Sequence, residues 1–311
     1  MSENFEVVTR ADIEFAEHDG TKLVGDLYLP RGLDKAPMLV GVHGGGWQIG
    51  DRKFYTHWGN YLAKNGYAVF SVEYRLMKPG FNTHPGAVYD VKAAVQYVRA
   101  RAGELGLDPN RIALMGDSSG AHLSALVALA GEEPAYSTEY RNDPNSSISH
   151  TVKAVVGVYG VYDMLRQWEH DQIARPRDQI TEKFLGASPM TNRKVFFESS
   201  PISYATVDKN STRFLLVHGT NDDVVDSATQ STAFLTALKQ AQFIARTIGF
   251  DIDAPLWWAV RLGAIVDDRG WQKSGGQHRE FSPQGVDCRL QQLGDARDRQ
   301  HLVEQLVESR H

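Results

Sequence analysis

Apolar and polar positions divide the chain, up to about residue 250, into short strands and amphipathic helices. Residues 5–15 and 22–28 alternate between apolar and polar side chains, and the intervening His18-Asp19-Gly20 is typical of a hairpin turn. Beyond Ala36, short apolar runs predict buried strands that alternate with segments of helical period. These strands are expected at residues 38–42, 68–72, 112–115, 152–158, 214–217 and 243–248.

Helices are predicted between the strands, at residues 55–64, 87–101, 119–129 and 227–240. The helix at 87–101 carries one apolar stripe, formed by Val88, Val91, Ala94, Val95 and Val98. Strands that alternate with helices predict an α/β fold, in which a mostly parallel central sheet is flanked by helices. No repeat or linker divides the sequence, so we expect a single domain over residues 1–311.

The regular alternation stops between residues 160 and 211. Two segments with aromatic residues, at 164–170 and 180–185, lie among Pro176, Pro189 and Pro201. An insertion of this size after a sheet strand is a candidate helical lid over a substrate pocket. A helical crossover with no role in binding is the alternative.

Composition and charge exclude several classes of protein. The 311 residues include 33 Lys and Arg against 38 Asp and Glu, so no basic excess favours nucleic acid as a partner. The apolar runs are too short to span a bilayer, and the N-terminus lacks the basic and apolar regions of a signal peptide. The single cysteine, Cys288, cannot form an internal disulfide or a metal cluster. We therefore expect a soluble protein, most simply cytoplasmic, that needs no metal or organic cofactor.

The sequence Gly-Asp-Ser-Ser-Gly at residues 116–120 lies between a predicted strand and a predicted helix. This is the context of a nucleophile elbow, in which a sharp turn exposes the central residue, Ser118, above the sheet. Glycines on either side avoid steric clashes in such a turn, and the dipole of the following helix favours negative charge near Ser118. Small residues also cluster in many strand–helix turns that have no catalytic role.

A second motif, His-Gly-Gly-Gly-Trp at residues 43–47, follows the strand predicted at 38–42. Three successive glycines expose main-chain N–H groups and so form a preorganised anion site. An oxyanion hole requires such donors opposite a nucleophile, and the N–H of Ser119 supplies another. A phosphate-binding loop is the alternative, but neither of the usual glycine patterns for nucleotide phosphates is present.

The third candidate is the segment that begins at His218, after the strand predicted at 214–217. A carboxylate on this loop can orient a catalytic histidine. Asp222 and Asp223 both qualify by residue type, and either could instead cap the helix that begins near Asp226. We expect His218 itself to be a structural hydrogen-bonding residue rather than a base.

With these motifs in this order, residues 20–248 resemble an α/β-hydrolase of the hormone-sensitive-lipase-like carboxylesterase group, which is marked by H-G-G-G-W and G-D-S-[AS]-G. The resemblance extends to residues 73–76 (Glu-Tyr-Arg-Leu), and to residues 84–87 (His-Pro-Gly-Ala) and 90–94, which also resemble small acyl esterases and kynurenine formamidases. It implies an α/β-hydrolase fold and a serine esterase that acts on short-chain or aryl carboxylic esters. Arylformamidase and feruloyl or acetyl esterase activities are the alternatives within this class.

Carried over residue by residue, the resemblance makes Ser118 the nucleophile. It makes Gly45, Gly46 and Ser119 the donors of the oxyanion hole. Asp222 becomes the acid of the triad because it lies four residues after His218, and Asp223 is the second choice.

The family places its catalytic histidine a few residues beyond the last strand, but residues 249–258 contain no histidine. His278, which follows two glycines and a glutamine, is the first candidate, and His301 the second. Alternatively, residues 249–311 form an atypical C-terminal segment unrelated to the family, such as a frameshift would produce. The chain would then be a hydrolase-fold binding protein that lacks a base. In either case we expect a small-molecule partner, an ester for the enzyme, and a homodimer is one possible assembly.

Overall fold

The computed structural model describes residues 4–78, 80–81 and 83–250. The atypical segment predicted at 249–311 therefore lies outside the described residues, apart from its first two positions. Within the described part, eight strands form one sheet in the order β1-β2-β4-β3-β5-β6-β7-β8. The strands are β1 (Val7–His18), β2 (Thr21–Pro30), β3 (Ala36–Val42), β4 (Ala68–Val72), β5 (Leu107–Asp117), β6 (Ala154–Val158), β7 (Arg213–Gly219) and β8 (Ala245–Phe250).

The sheet is mostly parallel, as the sequence predicted. Strands β1 and β2 form the expected antiparallel hairpin, and β2 pairs antiparallel with β4. Every pairing from β4 across to β8 is parallel. The carboxyl ends of β3, β5 and β7 therefore meet at one edge, where the three motifs of the sequence analysis begin.

α-Helices connect the strands of the described part, and those near residues 55–64, 87–101, 119–129 and 227–240 occur where the apolar periodicity predicted helices. They are α1 (Thr56–Lys64), α2 (Gly86–Ala100), α3 (Ala102–Leu105), α4 (Ser119–Ala130), α5 (Pro134–Ser137), α6 (Met164–Ala174), α7 (Ile180–Leu185), α8 (Arg193–Glu198) and α9 (Ala233–Gln240). The helix predicted at 227–240 differs in its first turn, Ala228–Thr232, which is a π-helix. There the N–H of Thr232 bonds to the carbonyl of Ser227, five residues back, at 2.9 Å.

The core is built around α4 and the central strands. All residues of β3 and β4 are buried, as near-continuous apolar runs in a parallel sheet require. Helix α4 is also buried on almost all sides, because it packs against β5, β6 and α2. The N-terminus of α4, which directly follows Ser118, is therefore held rigidly at the carboxyl edge of the sheet.

A buried polar cluster joins the turn end of the hairpin to α2. His18 contacts Asp90 through Nδ1 at 2.6 Å and Asp143 through Nε2 at 2.8 Å. Arg75 donates to the same Asp90 carboxylate through Nε at 2.9 Å and Nη2 at 2.8 Å. Burial by itself lowers the pKa of His18, but the hydrogen bonds and charges of the two carboxylates raise that pKa overall.

The segment 160–211 contains the helices α6, α7 and α8, together with two turns of 3₁₀-helix. The two segments with aromatic residues, 164–170 and 180–185, lie in α6 and α7, in agreement with the helical character expected for the insertion. Whether this insertion acts as a lid remains a prediction.

Candidate active site

Ser118 lies in a sharp, strained turn between β5 and α4. Its φ of 50° and ψ of −119° fall in a region that residues with a side chain rarely occupy. A Cβ atom on Gly116 would lie 2.4 Å from the main chain of Gly120, and a Cβ on Gly120 would lie 2.0 Å from the carbonyl oxygen of Val42. The turn therefore needs both glycines, because the chain passes too close to itself and to β3 for a larger residue.

The glycine loop, defined as residues 43–47, follows β3 and has three successive residues with positive φ. These are Gly45 at 122°, Gly46 at 59° and Trp47 at 59°. A Cβ on Gly45 would lie 2.0 Å from the carbonyl oxygen of Ile49, and one on Gly46 would lie 2.4 Å from Cδ1 of Ile180. Sterics and backbone conformation thus both require glycine at the two positions predicted to bind the oxyanion.

Asp117 joins the glycine loop to the turn that carries Ser118. Its Oδ1 accepts a hydrogen bond from the N–H of Gly44 at 3.0 Å, and its Oδ2 accepts one from the hydroxyl of Tyr159 at 3.2 Å. Burial raises the pKa of Asp117 to about 6. The role of Asp117 was not predicted from the sequence. The available signal was a carboxylate inside a motif whose turn requires only glycines and a nucleophile.

The main-chain carbonyls around the site show where the predicted oxyanion donors point. The carbonyl of Gly44 accepts from the ring of His43 at 2.7 Å, and the carbonyl of Gly45 accepts from the N–H of Ile49 at 3.1 Å. The carbonyl of Ser118 accepts from an N–H of α4 at 3.1 Å. In a trans peptide the N–H of the next residue points opposite to the carbonyl. The N–H groups of Gly45, Gly46 and Ser119 therefore point away from the groups that bind these three carbonyls.

Tyr74, from the segment after β4, braces the same region. Its hydroxyl donates to the carbonyl of His43 at 3.0 Å and lies 3.4 Å from Oγ of Ser119. Its ring stacks on the imidazole of His43, with 4.4 Å between centroids. Burial raises the pKa of Tyr74 and lowers that of His43, so both rings are neutral near pH 7.

Asp222 and Asp223 occupy different environments at the end of β7. Asp222 is buried, and its Oδ1 accepts from the N–H groups of Val224 and Val225, each at 2.9 Å. Its Oδ2 lies 3.7 Å from Nε2 of His218. Asp223 is exposed. A buried carboxylate held by two main-chain donors has the fixed orientation that a triad acid needs, which favours Asp222 over Asp223.

His218 is fully engaged inside the protein. Its Nδ1 lies 2.7 Å from the hydroxyl oxygen of Ser231, and its Nε2 donates to the carbonyl of Val225 at 2.9 Å. Burial lowers the pKa of His218. This geometry agrees with the structural role expected for it. The predicted base, His278, and its alternative, His301, both lie outside the described residues.

The insertion contacts two of the three motifs. Gln167 on α6 donates to the carbonyl of Val224 at 2.9 Å, and Nε2 of His170 lies 2.9 Å from the carbonyl of Asp223. On the other side, Phe184 of α7 stacks on Trp47, with 4.5 Å between ring centroids. The insertion therefore spans the carboxyl edge of the sheet, from the glycine loop to the loop of Asp222.

Aromatic side chains of the glycine loop and the insertion have separate environments. Trp47 and Phe196 are buried in the core, and Trp168 bonds to Glu182 through its indole N–H at 2.6 Å. Phe197 is 63% exposed.

None of the helices in the described ranges has both the length and the apolar character required to cross a bilayer.

Comparison with known proteins shows sequence relatives among esterases. The chain is 34% identical to Esterase LipQ of Mycobacterium tuberculosis over 237 residues, which covers 76% of this chain and 53% of the relative. It is 30% identical to the probable carboxylic ester hydrolase LipM of the same organism over 234 residues, or 74% and 51% of the two chains. The chain thus spans about half the length of the curated relatives it matches.

Solved esterase structures share the fold. Esterase Est2 of Thermogutta terrifontis matches with a TM-score of 0.64 and 23% identity, over 82% of this chain and 84% of that one. A truncated carbohydrate esterase from gut microbiota matches with a TM-score of 0.64 and 24% identity, over 80% and 89% of the two chains. These similarities confirm the predicted α/β-hydrolase fold. The BD-FAE family model matches residues 25–238, which contain the glycine loop, Ser118 and Asp222, and the chain therefore belongs to the BD-FAE family.

Proposed function

We propose that this chain is a serine carboxylesterase that cleaves short-chain or aryl carboxylic esters through an acyl-enzyme on Ser118. The observation that carries the proposal is the direct contact between two motifs: Gly44 of the glycine loop donates to Asp117, the residue before Ser118. Donors for an oxyanion are thereby held beside a strained turn of the kind that presents a nucleophile. The esterase names of the sequence relatives support the same reaction class.

In the proposed mechanism, a histidine takes the proton from Oγ of Ser118 while that oxygen attacks the ester carbonyl carbon. The N–H groups of Gly45, Gly46 and Ser119 bind the oxyanion of the tetrahedral intermediate. Collapse of this intermediate expels the alcohol, which takes the proton back from the histidine, and leaves the acyl group on Ser118. A water molecule, deprotonated by the same histidine, then attacks the acyl group. The histidine returns this proton to Oγ of Ser118 as the acid is released.

His278 is the proposed base, with Asp222 holding its ring in the correct tautomer. Asp222 suits this role because it is buried and its Oδ1 is held by two main-chain N–H groups, which fix the orientation of the carboxylate. His218 does not suit the role of base, since both ring nitrogens have partners within the protein. His301 is the second candidate base.

Two comparisons favour particular alternatives for the substrate. Similarity to a carbohydrate esterase supports acetyl or feruloyl esters of sugars as candidates. Relatives in Oryza sativa named as probable isoprenylcysteine α-carbonyl methylesterases support methyl esters as further candidates. Arylformamidase activity rests on the sequence resemblance alone. A cytoplasmic location and a homodimeric assembly stay predictions.

The first experiment measures hydrolysis of p-nitrophenyl acetate and butyrate by the full chain and by Ser118→Ala, His278→Ala and His301→Ala variants. We expect the full chain to be active and Ser118→Ala to lose all enzymatic turnover, because the nucleophile is gone. If His278→Ala loses activity and His301→Ala retains it, His278 is the base. Substantial hydrolysis by Ser118→Ala would contradict the proposal.

A second candidate function follows from the absence of histidine at residues 249–258, where the family places its base. Without a base, the chain would be a hydrolase-fold protein that binds a small ligand but does not turn it over. Labelling with a fluorophosphonate, followed by intact mass measurement, separates the two functions. An activated Ser118 gains the mass of one phosphonyl group, whereas an idle one stays unmodified.

A further inference from the structure

Aromatic rings from three segments meet behind the glycine loop. They are Trp47 of the loop, His122 of α4 and Phe184 of the insertion. The indole of Trp47 stacks on Phe184 with 4.5 Å between centroids and meets the ring of His122 edge-on at 5.1 Å. His122 also meets Phe184 edge-on, at 5.7 Å. All three side chains are buried.

The hydrogen bonds of His122 determine where its proton lies. Nε2 is 2.8 Å from the carbonyl oxygen of Ser199, which can only accept, so Nε2 carries the hydrogen. Nδ1 lies 3.2 Å from the indole nitrogen of Trp47, which can only donate, so Nδ1 offers its lone pair. Only the neutral tautomer with hydrogen on Nε2 satisfies both partners. Burial agrees with this assignment, because it lowers the pKa of His122 to about 4.

Trp47 needs such support because its backbone is strained. Its φ is 59°, a conformation that is strained for a residue with a side chain and persists only when the surroundings enforce it. Three contacts hold the residue: the bond to His122, the stack on Phe184, and the hydrogen bond from the N–H of Met77 to the Trp47 carbonyl at 2.8 Å. Trp47 directly follows Gly46, so these contacts also determine the direction of the preceding N–H groups.

We propose that His122 is a positioning residue of the esterase: by accepting the indole N–H of Trp47 and donating to Ser199, it holds the glycine loop in the conformation that binds the oxyanion. This inference rests on the proposed function. His122 touches neither the substrate nor Ser118 in this role. It acts through Trp47, and because it lies on α4, it ties the glycine loop to the same helix that holds the nucleophile.

Three variants separate positioning from general stability. His122→Leu fills the cavity with an apolar side chain but removes both hydrogen bonds. His122→Asn retains an acceptor near the position of Nδ1 for the indole of Trp47. Trp47→Phe keeps a ring to stack on Phe184 but removes the N–H donor together with part of the indole. Phe234→Leu is the matched control, since Phe234 is equally buried but packs on Tyr162 and Phe214 in another part of the core.

Steady-state hydrolysis of p-nitrophenyl butyrate gives the first readout. We expect kcat to fall roughly 10- to 100-fold in His122→Leu and Trp47→Phe, with KM changed less than about threefold, because a displaced oxyanion donor affects the transition state more than the bound ester. His122→Asn should recover part of kcat. The kcat of the double variant, His122→Leu with Trp47→Phe, should be no lower than that of the slower single variant, because both changes remove the same hydrogen bond. Unchanged kcat in folded His122→Leu, or an equal loss of kcat in Phe234→Leu, would overturn the inference.

Hydrogen exchange measured by mass spectrometry tests the same contact without requiring turnover. In His122→Leu, exchange should accelerate in peptides that cover the glycine loop, but not in peptides from β8, and Phe234→Leu should leave the loop unchanged. If the unmutated chain hydrolyses no ester, the proposed function fails, and this readout still decides whether His122 holds the loop. Equal exchange of the loop in the unmutated chain and His122→Leu overturns the inference in that case as well.

Discussion

The N–H of Gly44 donates a 3.0 Å hydrogen bond to Oδ1 of Asp117. One carboxylate therefore positions two loops that follow different strands, the glycine loop after β3 and the turn of Ser118 after β5. A Cβ on Gly44 would lie 2.4 Å from Oδ2 of the same carboxylate, so the contact also explains the first glycine of the loop. The sheet brings the two loops to one edge, and this bond sets their relative position.

Replacing Asp117 with Asn should stabilise the protein at alkaline pH. The pKa of Asp117 is raised from 3.8 to about 6, so between these values the folded state binds more protons than the unfolded state. The folded state is therefore most stable, as far as Asp117 is concerned, below pH 3.8, where the carboxyl is protonated. This stability is lost as the pH rises through about 6 and the buried group becomes charged. Asn keeps an acceptor for Gly44 without the buried charge, so we expect Asp117→Asn to gain on the order of 2 kcal/mol at pH 8. The gain should be close to zero at pH 4.

Urea unfolding of both proteins at pH 4, 6 and 8 measures this difference. Parallel curves of unfolding free energy against pH would show that the carboxyl group is not responsible. Asp117→Leu is the companion variant, because it leaves the N–H of Gly44 without its acceptor. We expect esterase activity in that variant to fall at least about tenfold, from loss of the loop geometry.

Ser118→Gly should be more stable than Ser118→Ala, although both should be inactive. The φ of 50° at this position strains alanine as it strains serine, whereas glycine adopts it without steric cost. Glycine also loses more conformational freedom on folding, which reduces the gain to about 1 kcal/mol. Thermal unfolding of the two variants side by side tests this. A Ser118→Gly variant less stable than Ser118→Ala would mean that the turn stores no such strain.

Gly45→Ala should damage the protein far more than Gly20→Ala does. Both glycines have positive φ, at 122° and 73°, so both substitutions introduce backbone strain. Only at Gly45 does the new Cβ also collide with main chain, since it would lie 2.0 Å from the carbonyl oxygen of Ile49, while at Gly20 nothing lies within 4 Å. We expect Gly45→Ala to lose about 100-fold or more in kcat and Gly20→Ala to retain normal activity. Equal activities in the two variants would contradict the assigned role of the loop.

His18→Phe should lose more stability at low pH than at high pH. The partners Asp90 and Asp143 raise the pKa of His18 above 6.5 in the folded state, so its contribution is fully present below pH 6.5 and is lost as the pH rises through the folded pKa. Phenylalanine retains the stack on Tyr140, whose centroid lies 3.8 Å from the His18 ring, but not the two polar contacts. Unfolding free energies at pH 5.5 and pH 9 test the sign. A larger loss of unfolding free energy at pH 9 than at pH 5.5 would contradict a raised pKa of His18 in the folded state.

The sequence by itself determined the class of fold and the motifs of the site. Apolar runs of strand length, separated by segments of helical period, predicted the mostly parallel sheet, because burial on both faces leaves an unambiguous apolar pattern. Glycines at 116 and 120, and at 44 to 46, marked the two tight loops, because few other residues tolerate such backbone geometry. The prediction that His218 is structural followed from its position at the end of a strand.

Tertiary structure alone decided which residues hold those motifs together. Asp117 and Gly44 are 73 positions apart and Trp47 and His122 are 75 apart, and no local periodicity links residues at such distances. Polar contacts of this kind depend on the order of strands in the sheet and on burial, which removes competing water and makes each unpaired group costly. The tautomer of His122 likewise follows from Trp47 and Ser199, two neighbours that only folding brings together.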